Sequence, residues 1–202
     1  KKDPYYRDLV RINIDTGQLD ALADSNHDID AYSQQSVATT DWGGFKTQGV
    51  SRTGNYAVVT KSRVDTIPVS YQVDRDGRKV MDIEKADISR LPEDFRWPEP
   101  VKTRAADDKT DIYGVIYRPS DFSPDKSYPV VSHAMNNSGI HFTAKSAFNG
   151  HGYSSMLPAM ALAELGFIVV QFDGRGTPAR GKAFQDHSYG WNNGPTTSDL
   201  SD

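Results

Sequence analysis

The sequence predicts a mixed fold: an all-β first half followed by the opening strands of an α/β sheet. Three observations carry this. Residues 9–84 contain short runs in which apolar and polar residues alternate, separated by turns bearing Gly, Asn or Asp. The stretch SRLPEDFRWPEPVK, residues 89–102, holds Pro92, Pro98 and Pro100, each restricting its own and the preceding backbone. Beyond it, the Ala- and Leu-rich MLPAMALAELG (156–166) leads directly into FIVVQFD (167–173), an almost wholly apolar strand of the kind a sheet covered on both faces requires.

The elements follow in order. LVRINI (9–14) and QLDAL (18–22) flank the turn residues DTG and read as a hairpin. Residues 24–49 are polar and glycine-containing, and are expected to form a long loop with one short strand around residues 34–39. RTGNYAVVTKSR sets a Gly-Asn turn before a strand at Tyr56–Thr60, and IPVSYQV and RKVMDIE flank the turn Asp74–Gly77. The proline-rich segment is neither a continuous strand nor a continuous helix, which makes it the expected domain boundary. After it, DIYGVIYRP and YPVVSHAM read as strands. MLPAMALAELG reads as a helix closed by Gly166, with Ser154 or Ser155 as its N-cap.

Bulk composition narrows the function. With 23 Lys+Arg against 27 Asp+Glu and a formal charge of −4 among 202 residues, the chain lacks the basic surplus of a nucleic-acid binder. No apolar run approaches the roughly 20 residues that span a bilayer. KKDPYY at the start has no apolar core of a signal peptide and reads like the middle of a domain. There are no cysteines, which excludes disulfides, thiolate metal sites and cysteine nucleophiles. The histidines His133, His141, His151 and His187 show no metal-ligand spacing, so no metal is expected.

Gly174, Gly176 and Ala179 fit a G-x-G-x-x-A pattern behind a strand, which raises a dinucleotide-binding reading. Pro178 and Gly181 do not suit the packed helix that reading needs, and FQDHSYGWNNGPTT looks loop-like. The competing reading is structural: Asp173 ends a strand, and Arg175 reaches nearby carbonyls or carboxylates to hold the Asp173-Gly174-Arg175-Gly176 turn in place. No cofactor is expected.

The order of a β-rich part, then PEPVKTRAADDKTDIYGVIYRPSDFSPDKSYPVV, then ALAELGFIVVQFDGRGTPARGKAF, resembles serine peptidases of the prolyl oligopeptidase family, in particular the dipeptidyl peptidase IV-like branch. Asp111–Phe122 resembles the entry to that family's catalytic domain, and Asp173–Thr177 its Asp-Gly-Arg-Gly-Thr turn. The resemblance implies that residues 1–97 are the last blades of a β-propeller and residues 98–202 the first part of an α/β-hydrolase domain. It implies a peptide substrate for the complete enzyme, completion by the remainder of the same protein or by another chain, a homo-oligomer as an allowed state, and a periplasmic or secreted site ahead of a cytoplasmic one.

In such an enzyme the nucleophilic serine stands on a G-x-S-x-G turn, and no such motif occurs in the chain. Gly152-Tyr153-Ser154-Ser155-Met156 lacks the second small residue. No catalytic triad residue is therefore expected here, and the chain alone is expected to be inactive. The family's oxyanion-stabilising loop implies a tyrosine where Met135 stands, followed by Asn136-Asn137-Ser138-Gly139. A thioether donates no hydrogen bond, so either an amide of Asn136 or Asn137 replaces the hydroxyl or the element is remodelled. Asn136-Asn137-Ser138 also matches the N-glycosylation tripeptide. Besides the serine peptidase, two readings stay open: a non-catalytic β-rich interaction module on the same scaffold, and an esterase-type acyl hydrolase.

Overall fold

The structure is a computed structural model that describes residues 2–23, 26–31, 49–133, 141–148 and 156–188. The chain divides into two compact units, Lys1–Asp87 and Ile88–Asp202.

The first unit is all β. β1 (Val10–Ile12) and β2 (Leu19–Ala21) form an antiparallel hairpin with Val10 opposite Ala21 and Ile12 opposite Leu19. The Asn13 side chain closes its turn by accepting the N–H groups of Asp15 and Thr16 at 2.9 and 3.1 Å. β3 (Asp28–Asp30), β4 (Tyr56–Arg63), β5 (Thr66–Asp74) and β6 (Lys79–Lys85) form an antiparallel sheet in that order. Alternation decides which face is covered. Ala57 and Val59 of β4 lie opposite Val73 and Tyr71 of β5, and these four with Ile29 make the core. At the β5–β6 turn Gly77 has φ +82°, and a Cβ there would meet the Leu22 carbonyl at 2.8 Å, so glycine is required on two counts.

One expectation for this unit needs correcting. The stretch 24–49 contains β3, which pairs with β4. Ile29 is the one large apolar residue of β3, and its flanking aspartates made the segment read as loop. Asp28 is buried because the Arg7 guanidinium grips it bidentately, Nε to Oδ1 at 3.0 Å and Nη2 to Oδ2 at 2.7 Å. The strand expected around residues 34–39 lies outside the described residues.

The second unit is α/β. β7 (Glu99–Arg104), β8 (Asp111–Tyr117), β9 (Val130–Ser132) and β10 (Ile168–Asp173) form a sheet of order β7-β8-β10-β9. β7–β8 and β8–β10 are antiparallel, while β9–β10 is parallel and joined through α1 (Leu157–Glu164). The sheet is thus mixed rather than purely parallel. Its central strand β10 exposes little on either face, and Val169, Gln171 and Asp173 are wholly buried on one of them. Gly114 of β8 allows the close approach of β10, since a Cβ there would collide with the Phe172 ring and the Gln171 carbonyl.

Two element boundaries differ from the sequence expectation. The tail of the proline-rich segment is part of a strand: β7 contains Pro100, which is accommodated because β7 is an edge strand and needs no donor on that side. Within the second compact unit Phe95 and Trp97 pack edge-to-face at 5.1 Å, and Trp97 lies 5.5 Å from the Phe148 ring. The N-cap of α1 is Met156, which forms no side-chain cap; Pro158 lies in the first turn, where its missing N–H costs nothing. Ser154 and Ser155 lie outside the described residues. At the other end Gly166, with φ +95°, closes the helix by donating to the Ala163 carbonyl at 2.8 Å.

Candidate functional site

The parallel pair β9–β10 brings two carboxyl ends side by side, the position in an open α/β sheet where loops converge on ligands. His133 follows β9 and Asp173 ends β10.

Asp173 is fully buried, and a buried carboxylate must be matched. Its Oδ1 accepts the backbone N–H groups of Phe142 and Thr143 at 2.5 and 3.0 Å. Lys145 Nζ lies 3.2 Å from Oδ2, with the lysine only 7% exposed. Among the described residues Oδ2 accepts no hydrogen bond with proper geometry, so the Lys145–Asp173 contact is a buried ion pair held by charge rather than by direction. Asp173 therefore ties segment 141–148 to the carboxyl end of β10.

The glycine turn comes next. Arg175 Nη1 donates to Asp107 Oδ2 at 3.0 Å. The same carboxylate accepts the Thr110 N–H at 2.8 Å, the Thr110 hydroxyl at 2.7 Å and, through Oδ1, the Lys109 N–H at 2.9 Å. These bonds, led by the Thr110 N–H, hold the Asp107 carboxyl well below the usual carboxylate range, and Arg175 adds to the effect. Gly176 has φ +111° and donates its N–H to the Phe184 carbonyl at 2.9 Å. Thr177 turns both its N–H and its hydroxyl onto the Gly174 carbonyl, at 3.3 and 3.0 Å. Arg180 stacks on Phe184, 4.3 Å from the ring centre, and donates to the Asp111 carbonyl at 3.0 Å.

This arrangement disposes of the phosphate cradle. A dinucleotide turn offers free backbone N–H groups at the head of a helix, whereas here those of Gly176 and Thr177 are committed to carbonyls. A helix does follow, against the loop-like expectation, but α2 (Lys182–Gln185) is four residues long and starts after Gly181, continuing into a 3₁₀ turn at Asp186–Ser188.

Behind Asp173 on the same face is a second polar group that sequence inspection did not single out. Gln171 is fully buried in β10, and its register partner Val115 places it next to Tyr117. The Tyr117 hydroxyl donates to Gln171 Oε1 at 2.7 Å, and Gln171 Nε2 lies 3.0 Å from His133 Nδ1. The His133 ring meets Phe142 edge-on at 5.1 Å. Burial pushes the Tyr117 hydroxyl up and the His133 imidazole down from their ordinary values. The one signal available in the sequence was a glutamine interrupting FIVVQFD.

Met135, Asn136 and Asn137 lie outside the described residues, as do His151 and Ser154. His187 sits in the 3₁₀ turn after α2. Among the described residues no three His, Asp or Glu side chains gather as a metal site would require. An open depression in the first unit is lined by Arg11, Arg75, Asp20 and Asp76, but Arg11 is already paired with Asp20 at 3.0 Å and Asp76 at 2.9 Å. No described helix is long and apolar enough to cross a membrane.

No family model matches the chain. Among curated proteins, it is 27% identical over 187 residues to the "Probable dipeptidyl-aminopeptidase B" of Emericella nidulans, covering 91% of this chain and 18% of that protein. It is 34% identical over 74 residues to dipeptidyl peptidase 8 of Homo sapiens, covering 37% of this chain and 8% of that protein. Among solved structures, dipeptidyl peptidase 4 of Porphyromonas gingivalis matches with a TM-score of 0.64 at 20% identity, over 92% of this chain and 23% of that one. The chain thus spans about a fifth of the length of the relatives it matches along most of its own sequence.

Proposed function

We propose, from the premise that this chain is similar along most of its length to dipeptidyl peptidase IV-like proteins, that it forms part of a serine peptidase hydrolysing peptides through an acyl-enzyme. Residues 98–202 supply the front of the α/β-hydrolase domain and residues 1–97 the last blades of a β-propeller. The observation that carries this reading is the Asp173–Gly176 turn at the carboxyl end of β10, tied down by Lys145 and Asp107 beside the parallel strand β9. Its role is structural: it holds the floor on which groups from outside these residues perform the chemistry.

In this reading Met135, Asn136 and Asn137 belong to the loop that faces the developing oxyanion, with an asparagine amide taking the donor role Met135 cannot fill. The serine, acid and histidine come from outside the chain, so the 202 residues alone are inactive and require the remainder of the protein or a second chain. The substrate is a peptide, and the reading leaves a homo-oligomer of the complete enzyme as an allowed state. Met135 also favours a second reading, a non-catalytic interaction module on the same scaffold.

The test is to assay the polypeptide carrying this chain together with its neighbouring sequence against Xaa-Pro and Xaa-Ala p-nitroanilides and p-nitrophenyl esters. Anilide cleavage supports the peptidase. Ester cleavage without anilide cleavage transfers the reading to an acyl hydrolase, and no turnover of either favours the interaction module.

A further inference from the structure

The pair Tyr117–Gln171 is buried in the sheet, has no part in holding the Asp173 turn, and ends on a histidine. We propose that Tyr117 and Gln171 lock His133 as the neutral tautomer carrying its proton on Nε2, making it a fixed hydrogen-bond donor at the carboxyl end of β9. His133 would then be a positioning residue of the proposed acyl-transfer site; that last step rests on the function proposed above, while the tautomer itself does not.

Tyr117 is 1% exposed, and among the described residues its hydroxyl proton has one acceptor, Gln171 Oε1 at 2.7 Å. A buried hydroxyl that loses its acceptor costs free energy. The tyrosine therefore decides which way the Gln171 amide faces: Oε1 towards Tyr117 and Nε2 towards His133. An amide nitrogen only donates. The atom it meets at 3.0 Å, His133 Nδ1, must then be the lone-pair nitrogen. The ring proton is left on Nε2, the nitrogen not bonded to Gln171.

The reverse amide orientation would let Oε1 accept an Nδ1–H, but it would strand the buried Tyr117 proton. Two further facts agree with the neutral ring: burial disfavours its charge, and the edge-on Phe142 ring at 5.1 Å limits how it can turn. One polar chain running from the interior of β8 through β10 to the end of β9 thus turns an amphoteric side chain into a donor of set direction.

The experiment is ¹⁵N NMR of the polypeptide carrying this chain, labelled at histidine, at a pH where the ring is neutral, with His133 assigned by loss of its signals in His133→Gln. The expected result is a pyrrole-type Nε2 and a pyridine-type Nδ1. In Gln171→Glu the carboxylate only accepts, so the two nitrogens should exchange types. In Tyr117→Phe the amide is free to turn, and the signals should move toward the average of the two tautomers. A pyrrole-type Nδ1 in the unsubstituted protein overturns the proposal even if neither variant folds, as does an unchanged tautomer in a folded Gln171→Glu protein. Peptidase activity is read separately: a correct tautomer in a protein that cleaves no anilide leaves the lock standing and removes the function proposed above.

Discussion

Exchanging Asp173 for asparagine changes one oxygen to an amide nitrogen and almost nothing in volume, so its effect isolates charge. The oxygen that accepts the Phe142 and Thr143 N–H groups can be kept, because the asparagine Oδ1 takes the same place. What is lost is the carboxylate charge that faces Lys145, an ammonium only 7% exposed, and the new NH2 group points donors at it. Breaking a buried ion pair by neutralising one member costs about 3–5 kcal/mol, an upper bound here because Lys145 keeps a further interaction of its own. Lys145→Met removes the charge that faced Asp173, so the Asp173→Asn, Lys145→Met double variant should recover part of that loss, with a coupling energy of about 1–3 kcal/mol. The assay is urea denaturation of the four proteins of the cycle, read as midpoints at constant slope. A coupling energy below about 0.5 kcal/mol, the level at which independent sites add, would refute the argument that Lys145 and Asp173 act as a pair.

Three other outcomes can be measured on the same material. Gly114→Ala should destabilise by about 1–3 kcal/mol, because its methyl must displace the Phe172 ring or the Gln171 carbonyl; differential scanning calorimetry reads it. Ile29→Ala should cost about 2–5 kcal/mol, since this residue is 3% exposed in the core of the first unit; the loss should appear in a transition of the first unit by hydrogen exchange. The Asp107 carboxyl is held low in the folded state, so its contribution is present above the ordinary carboxylate value of about 4 and is lost as pH falls. Asp107→Asn should flatten the acid limb of the stability profile, and an unchanged limb would contradict the assignment.

How much was legible in the sequence differs from residue to residue. The hairpins around residues 9–22 and 67–84 could be read because turn chemistry and alternation coincide there. The strand β10 was visible as an apolar run after a helix and β8 as a strand in DIYGVIYRP, but their antiparallel pairing was not, since nothing in DIYGVIY states which neighbour it pairs with. β3 was hidden because its two aspartates look solvated until Arg7 is seen beside Asp28. In the site, Asp173 and Arg175 could be named from the turn they frame. Lys145, Asp107 and Tyr117 could not, because each reaches its partner across tens of residues and carries no local pattern.

That distance has a consequence for how the molecule assembles. Tyr117 and Gln171 are 54 positions apart, and β8 cannot meet β10 until α1 and everything between have been made. The sheet of the first unit, by contrast, closes largely through neighbours: β4, β5 and β6 pair in chain order. Loop closure over long separations slows folding. During synthesis from the amino terminus the first unit's sheet can therefore form early, while β7 and β8 wait as an unprotected hairpin for the strand that will sit between them and β9. The second unit is where a chaperone would find its substrate.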